Sequence, residues 1–202
     1  MPEAAAPLRI GVLASQGDFA AHVRMLTELG AEATEVRAPS DLADLDALVI
    51  PGGESTTIGK AIDRDGLEAP IRALAESGRP VLGTCAGMIV CDADHLGLVD
   101  ARARRNAFGR QLQSFEADLD FEGIGTEPIR AVFIRAPWIE ACGPDVEVLA
   151  SWDDHPVAVR QDGVLLCAFH PELTGDSRVH ALLMAMATSA RERAADRGEV
   201  TG

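Results

Sequence analysis

A cysteine framed by small residues is the first candidate for chemistry in this sequence. Gly83, Cys85 and Gly87 fit a G-x-nucleophile-x-G pattern, with cysteine where many hydrolases have serine. The apolar residues 80–82 predict a buried strand, so Cys85 would stand where that strand ends and a helix begins. Backbone N–H groups and the helix dipole favour a thiolate there. The alternative is a buried cysteine in a tight turn, and these five residues alone do not decide.

A histidine and a glutamate follow another apolar run, residues 164–169, which also predicts a strand. His170 would lie at the mouth of the sheet, and Glu172 would point the same way if the segment is extended. A thiol nucleophile needs a base, and the base needs a group that holds its tautomer. Cys85, His170 and Glu172 therefore form a candidate triad. A strand-end histidine beside a solvated glutamate is the alternative.

Two glycines end a third predicted strand, residues 46–50. The backbone N–H groups of Gly52 and Gly53, with that of Ala86, could stabilise an oxyanion beside the nucleophile. The same segment superficially resembles a phosphate-binding loop. Its glycine spacing is one residue too long, however, and Ala61 stands where serine or threonine is required.

The other histidines and cysteines predict structure rather than catalysis. Asp92, Asp94 and His95 could be mistaken for a metal cluster, but so short a group is more typical of a solvated acidic turn. The remaining histidines are predicted to lie in helices (His22 and His180) and in a hairpin turn (His155). The remaining cysteines are predicted to lie in a helix (Cys91), a loop (Cys142) and a strand (Cys167), where they serve as packing residues.

Strands and helices alternate along the first half of the chain. Strands are predicted over residues 8–14, 33–36, 46–50 and 80–82, and Asp18 and Gly30 mark the ends of the first helix. This alternation predicts an α/β fold with three layers, in which helices cover both faces of a mainly parallel sheet. Sites in such sheets form beyond the carboxyl ends of strands, where all three candidate segments fall.

The second half of the chain has a different texture. Residues 99–134 alternate over short distances and predict antiparallel strands added at an edge of the sheet. Residues 146–152 and 156–160 predict a hairpin with its turn at residues 153–155. Asp176 is expected to cap the last helix.

Composition predicts one domain over residues 1–202, with flexible tails over about 1–7 and 196–202. A net charge of −14 argues against nucleic-acid binding, and no apolar run approaches a membrane span. The first residues lack a signal-peptide core, so we expect a cytoplasmic protein. The four cysteines form no C-x-x-C pair, which indicates neither a disulfide framework nor a zinc site, and no cofactor is indicated.

The motifs around Cys85 and His170-Pro171-Glu172 resemble the class I glutamine amidotransferases, whose triad is Cys-His-Glu. Further stretches make the chain similar to the glutaminase subunits of pyridoxal 5′-phosphate synthases, from about Ile10 to the last helix. These stretches are Gln16-Gly17, Pro51 to Thr57, Arg105 to Gln111, Ser114 to Glu116, Val132 to Pro137 and Phe169 to Thr174.

The resemblance implies that glutamine is hydrolysed to glutamate and ammonia through a thioester on Cys85. It implies His170 as the base and Glu172 as the group that orients it. The residues implied to contact glutamine are Gly53, Glu54, Ser55, Arg105, Ile134 and Arg135. An arginine can grip an α-carboxylate with two hydrogen bonds, so the role of Arg105 also makes chemical sense.

The resemblance also implies a partner, the barrel subunit that builds the cofactor from ribose 5-phosphate, glyceraldehyde 3-phosphate and ammonia. Gln16 and the Gly52-Gly53 peptide are expected near that contact, where docking would complete the oxyanion hole. Three features depart from the family pattern: Ser15, Arg104 and a shortened segment from Met88 to His95. None of them touches the triad.

Three rival functions remain open at this stage. The chain could be a glutaminase that serves another pathway, such as histidine or purine synthesis, or a cysteine hydrolase or peptidase of similar fold. It could also be a silent module that only binds the synthase, although all three triad residues are present.

Overall fold

The computed structural model describes residues 6–108 and 114–198 of the 202-residue chain. The strands within these ranges are β1 Arg9–Leu13, β2 Glu32–Val36, β3 Ala47–Ile50, β4 Val81–Thr84, β5 Ala101–Arg104, β6 Ser114–Leu119, β7 Ile129–Ile134, β8 Trp138–Cys142, β9 Glu147–Trp152, β10 His155–Gln161 and β11 Val164–Cys167. The α-helices are α1 Phe19–Glu28, α2 Ser55–Arg64, α3 Glu68–Glu76, α4 Ala86–Cys91 and α5 Arg178–Asp196. Short 3₁₀ helices span Pro39–Leu42 and Pro171–Leu173.

Seven of the described strands form the central sheet, in the order β2-β1-β3-β4-β11-β10-β9. The five strands from β2 to β11 run parallel to one another, whereas β10 pairs antiparallel with β11 and β9 pairs antiparallel with β10 at one edge. Every residue of β3, β4 and β11 is buried, as is typical of parallel strands that are covered on both faces. The predicted mainly parallel sheet with antiparallel edge strands is confirmed.

Helices lie on both faces of this sheet. The chain moves from β1 to β2 in one direction and from β3 to β4 in the other. Right-handed crossovers therefore place α1 on the face opposite to α2 and α3. His180 of α5 contacts His22 of α1, so α5 shares the face of α1. The strand order reverses between β1 and β3, which is where ligands bind in open α/β sheets.

The prediction of antiparallel strands in residues 99–134 is confirmed, but their predicted place at an edge of the central sheet is wrong. β5 pairs with β8 and β6 pairs with β7, each in a two-stranded sheet apart from the central one. The hairpin of β9 and β10 takes the sheet edge instead. Alternating apolar residues mark a strand and its two faces, but they do not specify the strand beside it.

The sequence correctly predicts the residue that caps α1, but it misplaces the end of one hairpin turn. The Asp18 carboxylate caps α1 by accepting the N–H of Ala21, as predicted. The turn between β9 and β10 contains two residues, Asp153 and Asp154, with φ of 49° and 62°. A two-residue turn of this kind leaves His155 as the first residue of β10, so its assignment to the turn is wrong.

Three further predictions concern helix α5, β8 and the chain ends. The N-cap of α5 is Ser177, not Asp176, although the Asp176 carboxylate does accept the N–H of Arg178. Cys142 is the last residue of β8 and not part of a loop. Residues 1–5 and 199–202 of the predicted tails lie outside the described residues.

Over the described ranges, no helix is long and apolar enough to cross a membrane.

Candidate active site

Cys85 occupies a strained turn between β4 and α4. Its φ of 48° and ψ of −108° lie outside the regions that ordinary side chains favour. The Cys85 N–H donates to the carbonyl of Cys167 over 2.7 Å, which ties the turn to β11. The thiol-bearing residue is 6% exposed. The predicted sharp turn from strand to helix at Cys85 is therefore present.

The glycines on either side of Cys85 are required by close backbone contacts. A Cβ on Gly87 would lie 2.0 Å from the carbonyl oxygen of Ile50, at the end of β3. A Cβ on Gly83 would lie 2.8 Å from the carbonyl oxygen of Gly87 itself. Real Cβ atoms do not approach oxygen so closely, so any side chain would displace the elbow.

His170 and Glu172 meet next to this turn. His170 Nδ1 lies 2.7 Å from Glu172 Oε1, with the two side chains 13% and 1% exposed. The link between them is a 3₁₀ turn, Pro171–Leu173, and not the extended segment that the sequence suggested. The side chains meet all the same, because the short turn also brings residue 172 back toward residue 170.

The pKa of His170 is raised to about 10. Burial lowers this pKa, but hydrogen bonds with the Cys85 and Glu172 side chains outweigh burial. Glu172 is also buried, which raises its pKa, yet its hydrogen bond with His170 and the positive charge of that ring lower the pKa overall. His170 is therefore a strong base, and it is held beside the thiol by an ionised carboxylate.

Gly52 lies against the side chains of Cys85 and His170. A Cβ on Gly52 would be 2.5 Å from His170 Cε1 and 3.2 Å from Cys85 Cβ. Ala86 is the first residue of α4, where the N–H has no acceptor in the helix ladder. Of the backbone groups expected to form an oxyanion hole, those of Gly52 and Ala86 thus lie next to Cys85, and Gly53 lines the same cavity.

A cavity of about 390 Å³ opens over the nucleophile. Its walls contain ten of the site residues predicted from the sequence: Gln16, Gly53, Glu54, Ser55, Cys85, Ala86, Arg105, Ile134, Arg135 and His170. Ile89, Asn106 and Pro137 also line it and were missed. Asn106 and Pro137 belong to stretches that resemble the family, whereas Ile89 looks like any apolar residue of a buried helix.

Glu54 has a structural task at the cavity wall. Its carboxylate accepts the backbone N–H groups of Thr56 and Thr57 and the Thr57 hydroxyl, which caps α2. These hydrogen bonds, first that of the Thr57 side chain, lower the pKa of Glu54 to about 2. The Glu54 N–H donates to Gln16 Oε1 over 3.3 Å, so Gln16 ties the loop after β1 to the loop after β3.

The far wall of the cavity comes from the end of β7. Cys85 Sγ lies 3.8 Å from the carbonyl oxygen of Ile134, and Arg135 follows with a φ of 44°. Arg105 enters from the loop after β5, where its Nη1 donates to Thr56 Oγ1 over 3.0 Å. Residues 109–113, within the Arg105 to Gln111 stretch and just after it, lie outside the described residues.

The prediction of a solvated acidic turn is confirmed for Asp94 and His95, which are exposed in a turn, but it is wrong for Asp92. Asp92 is 1% exposed, and its carboxylate accepts the N–H groups of Asp94 and Ala103. It also contacts His95 Nδ1 at 2.7 Å. Buried carboxylates keep such partners because desolvation is costly. In the part of the chain that the structure describes, no group of three or more His, Cys, Asp or Glu side chains could hold a metal ion.

The remaining cysteines do not reach the cavity. Cys91 and Cys167 are fully buried on α4 and β11, as predicted, and burial raises the pKa of both thiols. Cys142 is exposed at the end of β8. All four cysteines are free thiols.

Comparison with known proteins places this geometry in context. The chain is 53% identical over 185 residues to pyridoxal 5′-phosphate synthase subunit PdxT of Frankia alni. This alignment covers 87% of this chain and 93% of the relative. The subunit of the same name from Mycolicibacterium smegmatis is 54% identical over 187 residues and covers 87% of this chain and 96% of the relative.

Solved structures extend the comparison to the fold. A crystal structure of a glutamine amidotransferase superposes with a TM-score of 0.84 at 47% identity, covering 89% of this chain and 98% of that one. PurLQS from Thermotoga maritima, at 18% identity and a TM-score of 0.72, shares the fold. A family model for SNO glutamine amidotransferases matches residues 12–189. The chain belongs to the SNO glutamine amidotransferase family.

Proposed function

We propose that this protein hydrolyses L-glutamine to L-glutamate and ammonia at Cys85, and that the ammonia passes to a pyridoxal 5′-phosphate synthase. The observation that carries the proposal is the strained Cys85 turn beside the buried His170–Glu172 pair, in a chain of this family. The PdxT names of the relatives support the pathway.

The steps follow from the geometry of the triad. With its pKa raised to about 10, His170 holds the proton that the Cys85 thiol gives up, and Cys85 Sγ attacks the side-chain amide carbon of glutamine as a thiolate. The N–H groups of Gly53 and Ala86, beside Gly52, stabilise the oxyanion that forms. Collapse of this intermediate releases ammonia with the proton from His170, and the γ-glutamyl thioester remains. Water, activated by His170, then hydrolyses the thioester to glutamate.

Glu172 serves this cycle by fixing the ring of His170. Because Nδ1 of His170 is bonded to Glu172 Oε1, Nε2 is the nitrogen left to exchange a proton with the thiol. The positive charge that His170 carries after taking the proton is stabilised by the same carboxylate.

The cavity walls supply contacts for the rest of the substrate. Arg105 binds the α-carboxylate of glutamine through its guanidinium. Gly53, Glu54 and Ser55 line one side of the substrate, and Ile134 and Arg135 line the other, where a backbone carbonyl lies close to the nucleophile.

The ammonia is used by a partner, the barrel subunit that builds pyridoxal 5′-phosphate from ribose 5-phosphate and glyceraldehyde 3-phosphate. Both proteins act in the cytoplasm. Gln16 links the rim of the cavity to the Gly53–Glu54 segment. A partner that docks near Gln16 can therefore move the backbone N–H groups of this segment into position and complete the oxyanion hole. The partner therefore activates the glutaminase as well as consuming its product.

The test measures ammonia release from glutamine with and without the cognate synthase subunit. Cys85→Ala should reduce the rate at least about 10³-fold, because the covalent step is lost. Cys142→Ser is the matched control, since this thiol is exposed and lies away from the cavity. It should retain the wild-type rate.

Two results would contradict the proposal. Turnover that survives Cys85→Ala would remove the thioester mechanism. If the synthase subunit leaves the glutaminase rate unchanged, the assignment to pyridoxal 5′-phosphate synthesis is wrong. Activation by a different synthase would assign the protein to the pathway of that synthase.

A further inference from the structure

Two histidines are buried side by side behind the triad. His22 of α1 and His180 of α5 are both 0% exposed, although neither takes part in the chemical steps above. His22 Nδ1 lies 2.8 Å from His180 Nε2, and the rings are 5.1 Å apart. Polar side chains are rarely buried so completely unless their hydrogen bonds are used.

The pair faces the unused oxygen of the triad acid. Glu172 Oε1 is bonded to His170, whereas Oε2 is buried and has no hydrogen-bond partner of good geometry among the described residues. His22 Nε2 lies 3.3 Å from this oxygen, and Thr84 Oγ1 lies 3.4 Å from the same nitrogen. An N–H donated by His22 would satisfy an oxygen that is otherwise costly to bury.

The protonation states, together with the position of Glu172, favour one direction of hydrogen bonding. Burial lowers the pKa of both histidines, that of His180 to about 3, so each ring is neutral and carries one proton. The charged and titratable groups that act on His22 are Glu172, His170, Asp18 and His180. If His22 Nε2 carries its proton toward Glu172, its Nδ1 must accept, and His180 Nε2 must donate.

We propose that His22 is a positioning residue for the glutaminase reaction: supported by His180, it donates to Glu172 Oε2 and so fixes the carboxylate that orients His170. This inference rests on the proposed Cys85–His170–Glu172 triad. The chain of hydrogen bonds runs from His180 through His22 and Glu172 to His170 Nδ1. It locks the His170 tautomer that leaves Nε2 for Cys85.

The test compares two substitutions of His22. His22→Leu fills a similar volume but removes the donor. His22→Gln places an amide N–H close to the position of Nε2, so it should restore the hydrogen bond. Ammonia release is measured in the complex with the synthase subunit, per active site counted by complete alkylation of Cys85.

We expect His22→Leu to lower kcat about tenfold to hundredfold with KM for glutamine changed less than about twofold, because substrate contacts are intact. His22→Gln should recover most of the loss. His180 lies one hydrogen bond further from Glu172 than His22 does. His180→Leu should therefore lower kcat less than His22→Leu does.

A second readout does not depend on glutamine. The rate of Cys85 alkylation by iodoacetamide is followed against pH, and the His22→Leu profile should shift relative to wild type while that of His22→Gln should not. Wild-type kinetics and profile in a folded His22→Leu protein, or equal losses in both variants, would overturn the inference. A shifted alkylation profile without glutamine turnover in any variant would support the positioning role and overturn the proposed function.

Discussion

Arg105 is the side chain that we propose to bind the α-carboxylate of glutamine. Its guanidinium lies at the cavity wall, where Nη1 donates to Thr56 Oγ1 and Nη2 lies 3.5 Å from His95 Nε2. His95 is itself bonded to the buried Asp92. These contacts engage two of the five guanidinium N–H donors and set the plane of the group, so other donors can bind a carboxylate in the cavity.

The substitution Arg105→Lys tests this role. Lysine keeps the charge but loses the planar fork, so we expect KM for glutamine to rise about tenfold to hundredfold with kcat little changed. Steady-state ammonia release in the synthase complex measures both constants. Arg104→Lys is the control, because Arg104 is exposed and pairs with Glu140 instead. A kcat loss with unchanged KM would show that Arg105 acts on the chemical step.

Among the elements, the elbow between β4 and α4 has the least room for change. The helix backbone crosses the end of β3 so closely that Gly87 faces the Ile50 carbonyl. β3 is paired on both sides within the parallel sheet and cannot move aside. The position of Cys85 is therefore set by the packing of α4 on the sheet.

Gly87→Ala should both destabilise the protein and reduce its activity. The new methyl group must displace either α4 or β3, at a cost of about 1–3 kcal/mol or more in the free energy of unfolding. Urea denaturation and glutaminase assays measure the two effects. Gly59→Ala is the matched control within α2, since a Cβ there meets nothing within 4 Å. It should stabilise the protein by up to about 1 kcal/mol. Equal stability of the two variants would contradict the steric argument.

The elbow and the His170–Glu172 pair could be predicted because their signals are local. Small residues flank the nucleophile, and two residues of fixed spacing follow an apolar strand. The pairing of β5 with β8 could not be predicted, because alternation does not identify a partner strand. Nor could the meeting of His22 and His180, which lie 158 residues apart and read as ordinary helix residues. Burial of Asp92 depends in part on the N–H of Ala103 in a later strand, which the acidic cluster itself does not reveal.

At the scale of the whole molecule, buried histidines couple folding to pH in opposite directions. The pKa of His22 and of His180 is lowered by burial, so in the fold both are neutral. The pKa of His170 is raised to about 10, since its bonds with Cys85 and Glu172 outweigh burial. In the unfolded chain all three have a pKa near 6.5.

The two effects predict maximum stability near pH 6.5. Below that pH the unfolded chain binds protons that His22 and His180 exclude in the fold, so stability falls as the pH drops toward 3. The contribution of His170 is complete below about pH 6.5 and is lost as the pH rises toward 10. Urea unfolding midpoints between pH 4 and pH 10 measure both arms. His180→Leu should reduce the acid slope by up to about 1.4 kcal/mol per pH unit, the value for one proton, and should change the alkaline arm much less. An unchanged acid slope in that variant would show that proton uptake by His180 does not contribute to acid unfolding.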